Sequence, residues 1–171
     1  MVVQITSHLG VKAVYGFASP FGDSGWSAFA APRVLLGRGV VSGLVPASGV
    51  SDWYNLPVFQ VTAGQTAADF NAGIGRARSQ GRWAIFMFHS IMPTTTNWLA
   101  GVDIAGITAS LAHAKSLGDL WVDTFTAVGA YARATDVRGH RPTANTWAWI
   151  LPNHFPPGKI LRVTVDGERL S

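Results

Sequence analysis

The segment GRWAIFMFHSI at residues 81–91 constrains the fold more than any other part of the chain. Its uninterrupted apolar run, Trp83 to Phe88, is typical of a strand that is buried on both faces, as in a parallel sheet covered by helices. The titratable residue His89 follows directly. The segment therefore predicts a buried β-strand that ends on a histidine, and this histidine is either structural or part of an active site.

Strand and helix patterns alternate on both sides of this run. Further strands are predicted at 11–18, 40–45, 56–63 and 120–124, and helices at 26–31, 66–81, 103–118 and 125–134. The third helix is expected to bury Ile104, Ile107, Leu111 and Ala114. This alternation predicts an α/β fold with parallel strands, whose right-handed crossovers bring the carboxyl ends of the strands to one edge. His89 and Asp123 each end a predicted strand at that edge, although Asp123 is also explained as a cap of the next helix.

Composition excludes several classes of site and partner. The 171 residues suffice for one domain, and only 13% of them are charged. The net charge of +4 includes one basic cluster, Arg76, Arg78 and Arg82, which the helix pattern explains as a solvated face, so no nucleic-acid partner is expected. There are no cysteines, and no apolar stretch has membrane-spanning length. The first residues lack the features of a signal peptide.

No complete metal site is predicted from the spacing of possible ligands. The five histidines, at positions 8, 89, 113, 140 and 154, contain no pair separated by four residues, and no acidic residues bracket them. The glycine-rich stretch GRGVVSG at 37–43 imitates a dinucleotide-binding fingerprint, but no helical pattern follows it. A nucleotide site is therefore not expected there.

The stretch GDSG at 22–25 resembles the nucleophile loop of serine hydrolases, which makes Ser24 a candidate nucleophile. A serine nucleophile needs a histidine base and an acid that orients the base. Asp136 and His140 are the available pair, but they lie one residue further apart than the Asp-x-x-His spacing of lipase-like enzymes. A turn built by glycines is the alternative interpretation.

Four segments in order resemble the second half of the polysaccharide deacetylase domain, carbohydrate esterase family four, also called the NodB-homology domain. They are FASPFGD at 17–23, DWYNLP at 52–57, GRWAIFMFHSI at 81–91 and SLGDLWVDTFTAVGAYARA at 116–134. The resemblance implies a distorted (β/α) barrel with parallel strands, of which residues 1–135 would be the carboxy-terminal part. A proline-rich linker and a short β-rich extension would follow at 136–171, with a hairpin turn at Asp166-Gly167.

The resemblance also implies an activity and the residues that perform it. Enzymes of this family are hydrolases that remove N- or O-acetyl groups from polysaccharides with a divalent metal, usually zinc. By resemblance, His89 is the general acid that protonates the leaving group, and Pro20, Phe21 and Gly22 form an aromatic wall of the substrate cleft. The family's arginine before this wall is replaced by Ala18.

Two other family motifs are incomplete or absent. The Asp-x-x-Asp-Trp motif is half present, as Asp52 and Trp53, with Gly49 in place of the first aspartate. The Asp-Asp and His-x-x-x-His motifs, which supply the base and the metal ligands, would precede residue 17, where the chain leaves no room for them. This chain alone is therefore expected to bind no metal and to be inactive without an amino-terminal half as partner. By resemblance it would be secreted or located at the cell envelope.

Three functional hypotheses remain open. The chain is a portion of a deacetylase that acts on an acetylated glycan, or a non-catalytic carbohydrate-binding remnant, or a serine hydrolase that uses Ser24. In the second hypothesis, Trp53 is the best candidate for stacking on a sugar ring because it lies in a loop beside Asp52 and Tyr54.

Overall fold

Four parallel strands form the central sheet of this computed structural model, which describes residues 13–91, 101–136, 140–143, 146–148, 150–159, 163–165 and 168–170. The strands are β1 Gly16–Ala18, β2 Leu36–Ser42, β3 Leu56–Gln60 and β4 Phe86–Met87. They lie side by side in chain order, and each is parallel to the next. The chain is therefore a mixed α/β protein, as predicted, and its curled sheet resembles half of a barrel.

Helices and three short strand pairs complete the structure. After a 3-10 turn at Pro20–Gly22, the helices are α1 Trp26–Ala30, α2 Ala67–Gln80, α3 Ile104–Ser116 and α4 Phe125–Asp136. The pairs are β5 Ser90–Ile91 with β6 Gly101–Val102, β7 His140–Thr143 with β8 Thr146–Ala148, and β9 Val163–Val165 with β10 Glu168–Leu170. The first pair is parallel and the other two are antiparallel. The last pair provides the two strands of the predicted hairpin, whose turn at Asp166-Gly167 lies outside the described residues. None of the helices in the described ranges is long and apolar enough to cross a membrane.

Helix α2 begins and ends where its sequence predicts. Thr66 and Asp69 form a reciprocal capping box, with the Thr66 main-chain N–H donating to the Asp69 carboxylate at 2.8 Å. Gly81 follows the helix in the left-handed conformation, at φ 59°, where glycine has no steric penalty. The capping prediction is therefore confirmed at both ends of α2.

The sheet has one apolar cluster on each face. One cluster combines sheet residues with Ala130 of α4; its buried sheet members are Leu36, Leu56, Val58, Ile85 and Met87. The other lies under α2 and α3 and contains Phe59, Val61, Phe70, Phe86, Phe88, Val102 and Ile107. The residues from Ile85 to Phe88 alternate between these clusters. The segment around β4 therefore packs on both faces, as its continuous apolar run predicts.

Two predictions about the second half of the chain are wrong. Residues 120–124 form no strand, although their apolar pattern predicts one. Of the four residues predicted to be buried in α3, Ala114 is buried and Ile107 packs against the core, but Ile104 and Leu111 are exposed by 60% and 52%. The helix also buries Ser110, which the spacing does not predict. Small side chains let α3 approach α2 closely, and the Ser110 hydroxyl donates to the carbonyl of Ala67 at 3.3 Å.

Gly37 and Gly39 of GRGVVSG belong to β2 and not to a nucleotide-binding loop, and Gly43 follows the strand. A Cβ atom added to Gly37 would lie 2.6 Å from the main-chain oxygen of Tyr54, and one added to Gly39 would collide with the side chain of Asn55. Glycine is therefore required here because the chain before β3 passes close to β2.

Candidate functional site

Four of the predicted site residues lie at the carboxyl edge of the sheet. The 3-10 turn of Pro20, Phe21 and Gly22 comes directly after β1, and His89 comes two residues after β4. The carboxyl ends of parallel strands lie at one edge, so the turn and the histidine share that edge. Since β1 and β4 are three strand spacings apart, about 14 Å along the sheet, only an elongated ligand contacts both.

Phe21 is an exposed aromatic residue on a strained backbone. Its φ is 54° and its side chain is fully exposed. The Ser19 main-chain N–H donates to the main-chain carbonyl of Arg38 in β2 at 3.0 Å, and Gly22 lies so close to Val40 that a Cβ there would collide with it. The turn is therefore held against β2 while the ring points into solvent. A non-glycine residue with positive φ costs about 1 kcal/mol or more, and such strain is concentrated at functional sites.

His89 is exposed on a segment that its neighbours hold in place. The preceding residues are anchored to the sheet, since the Val61 main-chain N–H donates to the Met87 carbonyl at 3.1 Å. The ring of Phe88 packs against Phe70 of α2, with 6.1 Å between ring centroids. Ser90 then begins β5. The main chain on both sides of His89 is thus ordered by packing and pairing, while its imidazole is accessible to solvent.

Asp52 and Trp53 lie at the opposite, amino edge of the sheet. They precede β3, and the carbonyl of Trp53 accepts a hydrogen bond from the N–H of Gly37 near the start of β2, at 2.9 Å. The Asp52 carboxylate accepts the hydroxyl of Ser27 and the N–H of Tyr54, each at 2.8 Å. The Trp53 ring is half-buried against the core. The structure therefore separates this pair from His89, and the role of Trp53 in stacking on sugars stays a prediction.

An arginine that sequence reasoning missed organises the same amino edge. Arg133 of α4 donates to the Tyr54 hydroxyl at 2.9 Å and to the Leu35 carbonyl, and its guanidinium lies 5.0 Å from the Tyr54 ring centroid. The Tyr54 hydroxyl in turn donates to the carbonyl of Ala31 at 3.2 Å. These contacts join α4 to β2 and to the loop before β3. No local pattern connects Arg133 with Tyr54, because the two are 79 residues apart.

Ser24 lies in a turn without the geometry of an activated nucleophile. The carboxylate of Asp23 accepts a main-chain N–H of the turn at 2.8 Å, as the glycine-built turn interpretation expects. His154, whose side chain is described, is hydrogen-bonded to the carbonyl of Pro32 and not to Ser24. Asp136, the candidate acid, accepts the N–H of Gly49 at 2.7 Å. The candidate base cannot be placed, because the side chain of His140 is not among those that the structure describes.

Asp123 lies at the beginning of α4 and not at the end of a strand. Its carboxylate accepts the main-chain N–H of Thr124 at 2.7 Å, and this hydrogen bond lowers the pKa of Asp123. The Thr124 hydroxyl accepts the N–H of Ala127 at 3.2 Å and so caps the helix. These contacts support the capping interpretation of this region.

The described residues do not fit the divalent metal that the family resemblance implies. Across the described ranges, no group of three or more histidine or acidic side chains lies close enough to hold an ion. His8 lies outside these ranges, and so does the side chain of His140.

Fold and site together define a mixed α/β protein whose curled parallel sheet carries an accessible histidine and an exposed aromatic turn at its carboxyl edge. No protein-family model, no curated protein and no solved structure matches the chain. Any functional assignment therefore rests on the residues and geometry of this chain.

Proposed function

We propose that this chain contributes a proton-donating histidine, His89, and an aromatic wall, Pro20 to Gly22, to the active site of a metal-dependent polysaccharide deacetylase. The supporting observation is that both lie at the carboxyl edge of one parallel sheet, the edge where α/β enzymes hold their catalytic groups. In this proposal, residues 1–135 are the carboxy-terminal part of a distorted (β/α) barrel, and residues 136–171 are a β-rich extension.

The proposed role of His89 follows from the chemistry of deacetylation. When water attacks the acetyl carbonyl and the tetrahedral intermediate collapses, the leaving nitrogen or oxygen of the sugar must take up a proton. Imidazole is the side chain whose charge changes between about pH 5 and 8, so it can hold and release that proton near neutral pH. Because the described residues do not form a metal site, activation of the water is not assigned to this chain.

Reconstitution with the amino-terminal half of a deacetylase domain tests this proposal. The purified chain is mixed with the amino-terminal half of a polysaccharide deacetylase domain, and acetate release from chito-oligosaccharides is measured. We expect release from the mixture and none from either part alone. In the mixture, His89→Gln should lower kcat by about 10²- to 10⁴-fold, with KM and bound metal unchanged.

His113 on α3 provides the matched control, because it is a histidine on a helix and not at the carboxyl edge of the sheet. His113→Gln should change kcat by less than about twofold. The proposal is wrong if the mixture releases acetate and His89→Gln is as active as the unchanged chain, since a general acid at this position would then be unnecessary.

A second candidate function is glycan binding without catalysis. Phe21 favours it, because a fully exposed ring on a strained turn can stack on a sugar and needs no metal. Calorimetric titration of the chain alone with chito-oligosaccharides tests this function. Phe21→Ala should weaken binding about tenfold, which corresponds to about 1.4 kcal/mol. Ile104→Ala, which removes an exposed apolar side chain elsewhere, should leave the affinity unchanged.

A further inference from the structure

A cavity of about 450 Å³ lies beside β4. Ile74 of α2 and Leu111 of α3 line one side, and Phe125 and Val128 of α4 line the other. Residues 82–86 form the inner wall, and residues 120–123, which connect α3 to α4, form a further wall. The cavity therefore continues the layer of the sheet between its two covering helix layers.

The inner wall presents a strand edge for which the described residues provide no pairing partner. Towards β3, the carbonyls of Ile85 and Met87 accept the main-chain N–H groups of Phe59 and Val61, at 2.7 and 3.1 Å. Alternate residues of a strand direct their main-chain groups to opposite sides, so the N–H and carbonyl of Phe86 point away from β3. Within the part of the chain that the structure describes, no main-chain hydrogen bond is made on that side. Such an edge is a template for another strand.

The segment 120–123 is held apart from this edge. Asp119, directly before it, forms an ion pair with Arg78 of α2 at 2.8 Å, and Trp121 packs edge-on against Tyr131 of α4 at 5.5 Å. Among the described residues, the main chain of 120–123 has no main-chain hydrogen-bond partner. Since both anchors keep the segment beside the helices, the space along β4 stays open to another strand.

We infer that this cavity accepts an extended strand from a partner chain, which adds to the free edge of β4. The main-chain groups of Phe86 would bind the backbone of the incoming strand, as in other cases of β-strand addition. Both side walls are apolar, so the partner needs about four or five consecutive apolar residues with neither charge nor proline among them. The inference is independent of the proposed catalysis, because it involves neither His89 nor Phe21.

Titration with a synthetic strand tests the inference. The probe is the peptide Lys-Lys-Val-Ile-Val-Ile-Val-Lys-Lys, and its control has proline in place of the central valine, which removes one main-chain N–H. We expect saturable binding, detected by tryptophan fluorescence because Trp83 and Trp121 line the cavity. The control peptide should bind about tenfold more weakly. Hydrogen exchange of the Phe86 amide should slow about tenfold when the first peptide is bound.

A pair of α3 variants locates the binding site. Leu111→Arg places a charge at the cavity on a half-exposed position and should weaken peptide binding about tenfold. Ala112→Arg adds the same charge on the neighbouring exposed position outside the cavity lining and should leave the affinity unchanged.

Each of four results would overturn the inference. The first is equal binding of the two peptides, which is measured on the unchanged chain and so needs no variant to fold. The second is equal affinity of Leu111→Arg and the unchanged chain. The third is full protection of the Phe86 amide without peptide, which means that the chain itself covers the edge. The fourth is a dimer that the peptide does not dissociate, since a second copy would then occupy the cavity.

Discussion

Replacing Gly37 by alanine should destabilise the fold because of one close main-chain contact. The new Cβ would lie 2.6 Å from the Tyr54 carbonyl oxygen, 3.2 Å from its carbon and 3.3 Å from the Tyr54 Cα. All three atoms are main chain, so no side-chain rotation relieves the clash. Either β2 and the chain before β3 move apart, or the hydrogen bond from Gly37 to Trp53, at 2.9 Å, is lost.

The expected loss is about 2 kcal/mol in the free energy of unfolding. Overpacking costs about 1–3 kcal/mol and a lost hydrogen bond about 1 kcal/mol. Replacing glycine also lowers the conformational entropy of the unfolded chain, and this offsets about 0.5–1 kcal/mol of the loss in the free energy of unfolding. For a chain of this length, the melting temperature should fall by about 4–8 °C, measured by circular dichroism together with urea unfolding.

Gly75 provides the matched control within the same chain. It lies in α2, and a Cβ atom at this position would have nothing within 4 Å. Gly75→Ala should therefore stabilise the protein by about 0.5–1 kcal/mol. If Gly75→Ala stabilises as expected and Gly37→Ala is at least as stable as the unchanged chain, the close approach beside β2 is refuted.

Three further perturbations test other parts of the fold by urea unfolding. Phe21→Asn should raise the free energy of unfolding by about 1 kcal/mol, because asparagine tolerates a positive φ, whereas Phe21→Val should lower it; equal effects would contradict strain in the turn. Arg133→Met should lower the free energy of unfolding by about 1–3 kcal/mol because its hydrogen bonds are lost. The exposed control Arg76→Met should lower it by less than about 0.5 kcal/mol, and similar losses for both variants would contradict a stabilising role for Arg133. The third test is pH dependence. The main-chain N–H and the hydroxyl of Thr66 lower the pKa of Asp69 below its ordinary 3.8. Its stabilisation is therefore fully present above about pH 4 and is lost as the pH falls through the lower, folded-state pKa. Asp69→Asn should flatten the acid side of the stability profile, and an unchanged profile would contradict this.

Local features of the fold could be predicted because their causes are local. Thr66, Asp69 and Gly81 lie within one helix and its two ends, so their spacing alone predicts the capping box and the left-handed cap. The apolar run from Trp83 to Phe88 likewise predicts packing on both faces, and the residues from Ile85 to Phe88 pack alternately into the two clusters, with Ile85 and Met87 buried. In these segments, every residue needed for the prediction is close in sequence.

The wrong predictions involve contacts between distant residues. Residues 120–124 have the composition of a strand, but the Asp119 ion pair with Arg78, 41 residues away, holds the preceding turn against α2. In α3, helical spacing favours Ile104 and Leu111 as core residues, but small residues permit the closest approach to α2. Periodicity shows that a helix has an apolar face, and the neighbouring element decides which face is buried.

The candidate site could be predicted where it follows the strands and not where it depends on loops. Phe21 and His89 each follow a parallel strand within three residues, so the alternating pattern places them at one edge. Asp52 and Trp53 belong to the connection from β2 to β3, in which no helix occurs. The pair lies just before β3 and is therefore at the amino edge. A sequence motif in a connecting segment does not show at which edge of the sheet its residues lie.

The two edges of the sheet differ in how their polar and aromatic groups are used, and this difference favours the carboxyl edge as the functional one. At the amino edge, Asp52 accepts a hydrogen bond from Ser27, and Arg133 donates one to Tyr54. These contacts stabilise the fold, and that role is enough to explain these residues. At the carboxyl edge, Phe21 has backbone strain and no burial that would offset it. A strained, exposed aromatic residue does not stabilise the isolated chain, and this supports the proposal that Phe21 contacts a ligand. Because His89 shares this edge, ligand searches should begin between the Phe21 turn and His89.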